Sequence, residues 1–109
     1  MKLVIAIIQD TDAGRLAEAL AKEDIRSTKL ASTGGFLGRG NTTIMIGTED
    51  EKVEAVLAVI RGACLSRRQT VTPVAPVGAT PGSFIPIPLE VTVGGATVFV
   101  LTADKFVKV

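Results

Sequence analysis

The chain has 109 residues, with 12 basic and 11 acidic side chains, and therefore a formal charge of +1. A balance this close to zero gives no reason to expect a nucleic-acid partner. No apolar run reaches the roughly 18 residues that a membrane-spanning helix needs, so we expect no membrane insertion. The length predicts one domain, residues 1–109.

Hydrophobic residues make up 47% of the chain. A single domain of this length buries only about two-thirds of the surface of its unfolded chain. The apolar excess therefore favours a homo-oligomer, in which subunits bury more surface against each other. A very dry core is the alternative.

The chain contains one cysteine, Cys64, and no histidine. A single cysteine cannot form an internal disulfide, which favours an intracellular, reducing location. Acid–base catalysis and metal binding lack their usual side chains in such a sequence. We therefore predict a protein that is not an enzyme, with no catalytic residue, no metal site and no cofactor.

The first predicted elements are a strand and a helix. Residues 3–8 form an unbroken apolar run that is typical of a buried strand. Asp10 and Asp12 predict an N-cap for a helix over residues 13–22, where alanine and leucine recur at helical spacing. Helix capping explains these two aspartates better than catalysis does.

Two further strands, predicted over residues 25–33 and 42–47, form a hairpin. On the first of them, Arg26 and Thr28 lie on the same face because side chains alternate along a strand. A cation beside a hydroxyl could hold a phosphate. A strand face that is merely solvated is the alternative.

The connection between these strands, residues 32–42, is rich in glycine but also contains Phe36 and Leu37. One interpretation is a hairpin loop whose Phe36 packs on its own core. A phosphate-binding loop is the second, although the spacing of the known phosphate-loop motifs is missing. The third is a clamp for a planar ligand, in which Phe36 stacks on a base and the Asn41 amide pairs with its edge.

The second helix is predicted to follow a capping box at residues 48–51. Its apolar residues begin at Val53 and recur at helical spacing as far as Cys64. Because Cys64 falls on this apolar stripe, we expect a structural role for its thiol.

From Arg67 onward the composition changes, and all five prolines fall within residues 73–88. Proline removes an N–H that a sheet needs, so we predict a long loop here, with short edge-strand pieces at Val71 and Val74. Residues 89–101 are strand-like again. Gly94-Gly95 interrupts them, which indicates either a hairpin turn or a bulge.

The order of these elements, βαββαβ, predicts a ferredoxin-like α+β fold with a short glycine-rich loop and a long proline-rich loop. Two helices would cover one face of the sheet. The other face would be open and apolar, which suits an interface between subunits.

Several segments carry a resemblance to a known family. They are Lys2 to Asp12, Lys29 to Leu37, Gly40 to Thr43, Ile46-Gly47 with Glu49 to Val53, and Val93 to Leu101. In these segments the chain resembles the PII-like cyclic di-AMP receptor family. The resemblance implies a homotrimeric signalling protein of the bacterial cytoplasm that binds one cyclic di-AMP in each groove between neighbouring subunits.

The same resemblance implies the positions of the ligand contacts. The expected set comprises Arg26 and Thr28 for phosphate and ribose, with Gly35, Phe36, Leu37, Asn41, Gly47 and Phe99 around the adenine. The chain departs from the family at Lys108, where a cation replaces an amide or acidic side chain. A contact between the C-terminal tail and the base is therefore not carried over.

Ligand binding is expected to reorganise the loops and so to signal to a downstream protein, whose identity the sequence does not reveal. Two alternatives remain open. One is a PII-like regulator that binds another adenine nucleotide, such as ATP or ADP. The other is a structural trimer that binds no ligand.

Overall fold

The computed structural model describes residues 1–30, 40–71 and 88–109 of the chain. Predictions for residues 31–39 and 72–87 lie outside this described part. The elements are β1 (Lys2–Gln9), α1 (Asp10–Lys22), β2 (Thr28–Leu30), β3 (Asn41–Thr48), a short 3-10 helix (Asp50–Lys52), α2 (Val53–Ala63), β4 (Arg67–Val71), β5 (Leu89–Val93) and β6 (Ala96–Thr102).

Four of the strands form one antiparallel sheet in the order β2-β3-β1-β6. Together with α1 and α2, this sheet is consistent with the ferredoxin-like α+β fold that the sequence predicts. The register places Ile5 opposite Met45 on one side and Phe99 on the other. Since side chains alternate along each strand, this register determines which residues share a face.

The helices cover one face of the sheet and enclose the core with it. The buried core residues of the described chain are Val4, Ala6, Ile8, Ala13, Leu16, Leu20, Ile44, Ile46, Val56, Ile60, Ala63 and Cys64. Leu16 and Leu20 lie one helical turn apart on α1 and are both fully buried. Cys64, directly after α2, belongs to this core, as its place on the apolar stripe predicts.

The opposite face of the sheet is apolar and is not covered by the helices. Across its middle the register aligns Phe99, Ile5, Met45 and Thr28. Phe99 is 43% exposed, and Leu101, two residues along the same strand, is 47% exposed. We call this surface the open face.

The strands β4 and β5 form a separate two-stranded antiparallel sheet, which we call the ribbon. β4 begins at Arg67, four residues before the strand piece predicted at Val71, and it pairs with β5. The strand predicted at Val71 is confirmed, whereas Val74 lies outside the described residues.

The predicted strand over residues 89–101 is two strands that belong to different sheets. β5 pairs with β4 in the ribbon, while β6 pairs with β1 in the main sheet. Gly94 and Gly95 are the junction between them, so neither the hairpin turn nor the bulge is correct. Both have positive φ, 84° and 83°, which glycine adopts readily.

The ends of several elements also differ from the predictions. α1 begins at Asp10 and its N-cap is Gln9, without a capping side chain, so the predicted N-cap at Asp10 and Asp12 is wrong. The capping box at residues 48–51 is likewise wrong, since Glu49 precedes the 3-10 helix without a side-chain cap.

The predicted hairpin strands are present with changed limits. The described part of the first strand covers Thr28–Leu30, so Ile25 and Arg26 precede it. The second strand, Asn41–Thr48, is one residue longer at each end than predicted. No helix in the described part of the chain is long and apolar enough to cross a membrane.

Candidate functional site

Arg26 and Gly47, two residues of the expected ligand set, line the same groove. Its volume is about 540 Å³, and it lies between the segment before β2, the end of β3 and α2. Arg26 is exposed and forms no ion pair within the described residues. Its guanidinium is therefore available to an anionic ligand.

The charges around this groove nearly balance. Lys52 is a second cation in its lining, while Glu23, Asp24 and Glu49 are acidic. The groove thus has no strong net positive field, and phosphate binding would depend on direct contact with a cation. Lys52 was not predicted from the sequence, because it occupies an ordinary polar position at the end of the 3-10 helix, directly before α2.

The N-terminus closes one side of the groove. The Met1 ammonium donates a hydrogen bond to Asp50 at 2.8 Å, and this hydrogen bond is the main reason why the pKa of Asp50 lies below its ordinary value. Met1 also accepts a backbone hydrogen bond from Ala103 at the start of the C-terminal tail. The start of the C-terminal tail therefore lies beside the N-terminal residue of the groove lining.

The C-terminal tail then reaches Gly47. The ring of Phe106 lies 3.9 Å from the position that a Cβ on Gly47 would occupy, and it is 65% exposed. Phe106 was not among the expected ligand residues, and in the sequence it stands out only as a lone aromatic residue in the tail formed by residues 103–109. Lys108 is exposed and has no ion pair in the described residues.

Thr28 and Phe99 lie in the same row across the open face, on its two outermost strands. β3 and β1 separate them, so within one chain they do not contact the same small group. Both side chains are exposed. They therefore lie on an exposed surface and not in an enclosed pocket.

Asn41 lies at the opposite end of β3 from Gly47. Six residues separate the two positions, which corresponds to about 20 Å along a strand. Asn41 lines a second cavity of about 300 Å³ together with Gln9, Gly94 and Gly95. The expected ligand set is therefore distributed along β3 and not gathered at one point.

Three expected ligand residues, Gly35, Phe36 and Leu37, lie outside the described residues. The rest of the expected set falls on β2, β3, β6 and the segment that precedes β2. No group of three or more metal-binding side chains occurs in the part of the chain that the structure describes.

A buried ion pair connects the ribbon to α1. Asp12 is completely buried, and its Oδ1 accepts a hydrogen bond from Arg67 Nη2 at 2.9 Å. Arg67 also donates to the Leu65 carbonyl at 3.2 Å. The pKa of the nearby Cys64 thiol is raised, first by burial and then by the charge of Asp12, so this thiol is not a reactive group.

Comparisons with known proteins agree with the resemblance found in the sequence. A crystal structure described as that of a functionally unknown protein from Pediococcus pentosaceus is similar to this chain, with a TM-score of 0.76 and 45% identity. The match covers 99% of this chain and 96% of that one. The family model for the cyclic-di-AMP receptor matches residues 1–109. The chain therefore belongs to the cyclic-di-AMP receptor family.

Proposed function

We propose that the protein is a non-enzymatic receptor that binds cyclic di-AMP between neighbouring subunits of a homotrimer and signals to a partner protein through its loops. The observation that carries this proposal is the match of the cyclic-di-AMP receptor family over residues 1–109. That family is a binding and signalling family rather than an enzyme family.

Cyclic di-AMP combines two phosphates with two adenines, so its site needs cations together with amide and flat apolar groups. Arg26, exposed and without an ion pair in the described residues, supports a phosphate contact, and Thr28 adds a hydroxyl. We assign the adenine to the other expected residues, Gly35, Phe36, Leu37, Asn41, Gly47 and Phe99.

Assembly into a trimer is supported by the open face. A large ring at Phe99 and a leucine at Leu101 are each more than 40% exposed there. Contiguous exposed apolar surface is typical of an interface between proteins. The distribution of expected ligand residues along about 20 Å of β3 also suits a site to which more than one copy contributes.

A calorimetric titration of the protein with cyclic di-AMP tests the ligand. We expect micromolar or tighter binding at one ligand per chain. Hydrogen bonds to charged groups contribute roughly 1.5–3 kcal/mol, so Arg26→Ala should weaken binding by about tenfold or more. Asn41→Ala should cost roughly 1–3 kcal/mol if its amide is buried against the base.

Arg61→Ala is the matched control, because Arg61 is an exposed cation that lines a different groove beside α2. We expect its affinity to stay within twofold of the wild type. If the protein releases no heat with cyclic di-AMP but binds ATP or ADP, the proposal is wrong and the protein is a receptor for another adenine nucleotide. Assembly without any nucleotide binding would leave only a structural trimer.

Native mass spectrometry tests the assembly. We expect a trimer for the wild type and its dissociation in Leu101→Asp, because a charge would replace an apolar side chain on the open face. Leu89→Asp is the control: Leu89 is 53% exposed, yet it lies on the ribbon and not on the open face. A monomeric wild type would exclude a binding site between subunits.

A further inference from the structure

We propose that the junction between β1 and α1, residues 9–12, couples the Asn41 end of β3 to the ribbon, with Gln9 as the positioning residue. This inference rests on the proposed function and adds to it the physical connection and the surface that changes. In this proposal, ligand binding changes the ribbon rather than the main sheet, and the partner protein recognises that change.

On one side, the junction holds the residues that lead into β3. Asp10 N–H donates to the Gly40 carbonyl at 2.7 Å, and the Thr42 hydroxyl donates to the Asp10 carboxylate. Gln9 is the direct register partner of Asn41. A displacement of Asn41 on ligand binding therefore acts directly on the β1–α1 junction.

On the other side, the same junction holds the base of the ribbon. The Gln9 side-chain carbonyl accepts a hydrogen bond from Gly94 N–H at 2.7 Å. Three residues further along the chain, Asp12 binds Arg67, the first residue of β4. Residues 9–12 thus hold both strands of the ribbon at the same end. β4 is held through its first residue, Arg67, and β5 through Gly94, which directly follows it.

The packing around Gly94 makes this attachment specific. A Cβ at Gly94 would lie 2.6 Å from Arg67 Nη1 and 2.6 Å from the Leu65 carbonyl oxygen, so Gly94 packs closely on the residues that begin the ribbon and leaves no room for a side chain. Gly94 and Asn41 also line the same cavity of about 300 Å³, and so does Gln9, the register partner of Asn41. The two ends of the connection are therefore adjacent in space.

The backbone and the side chain of Gln9 contact different parts of the molecule. Its backbone belongs to the ladder with β3, and its side chain belongs to the ribbon base. Removal of the side chain should leave the ladder intact and disconnect the ribbon. A ligand can shift the ribbon from one position to another only if the contacts of the two positions differ in free energy. The hydrogen bond from Gly94 N–H to the Gln9 side chain is one contact that can differ between them.

Amide hydrogen exchange of β4 and β5, with and without saturating cyclic di-AMP, tests the coupling. We expect ligand to change exchange in the wild-type ribbon. Gln9→Ala should keep cyclic di-AMP affinity within about threefold and lose at least half of this ribbon response. Gln9→Glu, which retains an acceptor oxygen at the same length, should restore it.

Gln69→Ala is the matched control, because Gln69 is an exposed glutamine on β4 away from the junction, and it should respond like the wild type. If Gln9→Ala fails to fold, Thr42→Val removes the hydrogen bond to Asp10 on the other side of the junction and should also reduce the response. A full ribbon response in Gln9→Ala or in Thr42→Val would overturn the inference.

A wild-type protein that binds cyclic di-AMP without any change in ribbon exchange would also overturn it, while the proposed receptor function would stand. A wild-type protein that does not bind cyclic di-AMP would instead refute the receptor function. The two failures are therefore distinguishable in one experiment.

Discussion

The ion pair between Asp12 and Arg67 should contribute strongly to stability, and Arg67→Met tests this directly. Asp12 is 0% exposed, and its side chain would retain only Arg15 Nη2, at 3.8 Å, as a charged partner within the described residues. Loss of one partner from a fully buried pair costs about 3–5 kcal/mol, and an exposed pair contributes less than about 1 kcal/mol.

The value expected here lies between these limits, because the Arg67 side chain is 37% exposed and water screens part of the interaction. We therefore expect Arg67→Met to lower the free energy of unfolding by about 2 kcal/mol. One kcal/mol shifts the Tm of a small domain by about 4–8 °C, so the Tm should fall by about 8–16 °C.

Thermal unfolding at one fixed protein concentration is the appropriate measurement, since assembly makes Tm depend on concentration. The control is Arg68→Met: Arg68 is the next residue, its side chain is 79% exposed, and it pairs with the exposed Glu90 at 3.2 Å. Its Tm should hardly change. Adding Asp12→Asn to Arg67→Met should recover part of the loss, because no charge would then be buried. Equal Tm values for Arg67→Met and Arg68→Met would refute the reasoning.

Three further predictions concern other parts of the described chain. Gly94→Ala should destabilise the protein more than Gly95→Ala, because both have positive φ but only at Gly94 would a Cβ lie 2.6 Å from the Leu65 carbonyl; equal Tm values would contradict this. Cys64 should react slowly with a thiol reagent, and rapid labelling of the native protein would disprove its buried placement. Because burial raises the pKa of the thiol in the folded protein, the contribution of Cys64 to stability should decrease as the pH rises above 9.0. In an NMR titration the pKa of Asp50 should lie below its ordinary value of 3.8, and acetylation of the N-terminus should raise that pKa. The contribution of this ion pair to stability should be present above pH 3.8 and should be lost as the pH falls below it. An Asp50 with an unshifted pKa would exclude the ion pair.

The main sheet and both helices could be predicted because their signals are local. The apolar run at residues 3–8 and the helical spacing on α1 and α2 each fall within one element. The order of these elements also predicted a sheet with one face against helices and the other open. The limits of α1 were less predictable, because the chain enters the helix directly from β1 and no capping side chain marks its start.

The resemblance allowed the expected ligand residues to be named. Their arrangement in space could not be predicted from the sequence. Distances along β3 follow from the strand, but the proximity of Arg26 to Gly47 depends on how β2 and α2 pack beside it. The contact of Phe106 with Gly47 joins residues that are far apart in the chain, and nothing near Phe106 in the sequence predicts it.

Local patterns in the amino-acid sequence thus determine where this protein forms both helices and most strands of the main sheet, and they make Arg26 and Phe36 candidates for contacts with a phosphate and an adenine. Only the tertiary structure decides which strands pair: the pairing of β4 with β5 joins segments separated by residues 72–88. It also decides that Gly94 and Gly95 join two sheets and that Asp12 meets Arg67, 55 positions away. The physical reason is that strand propensity depends on neighbouring residues, whereas pairing and the burial of charge depend on contacts that only the folded chain makes.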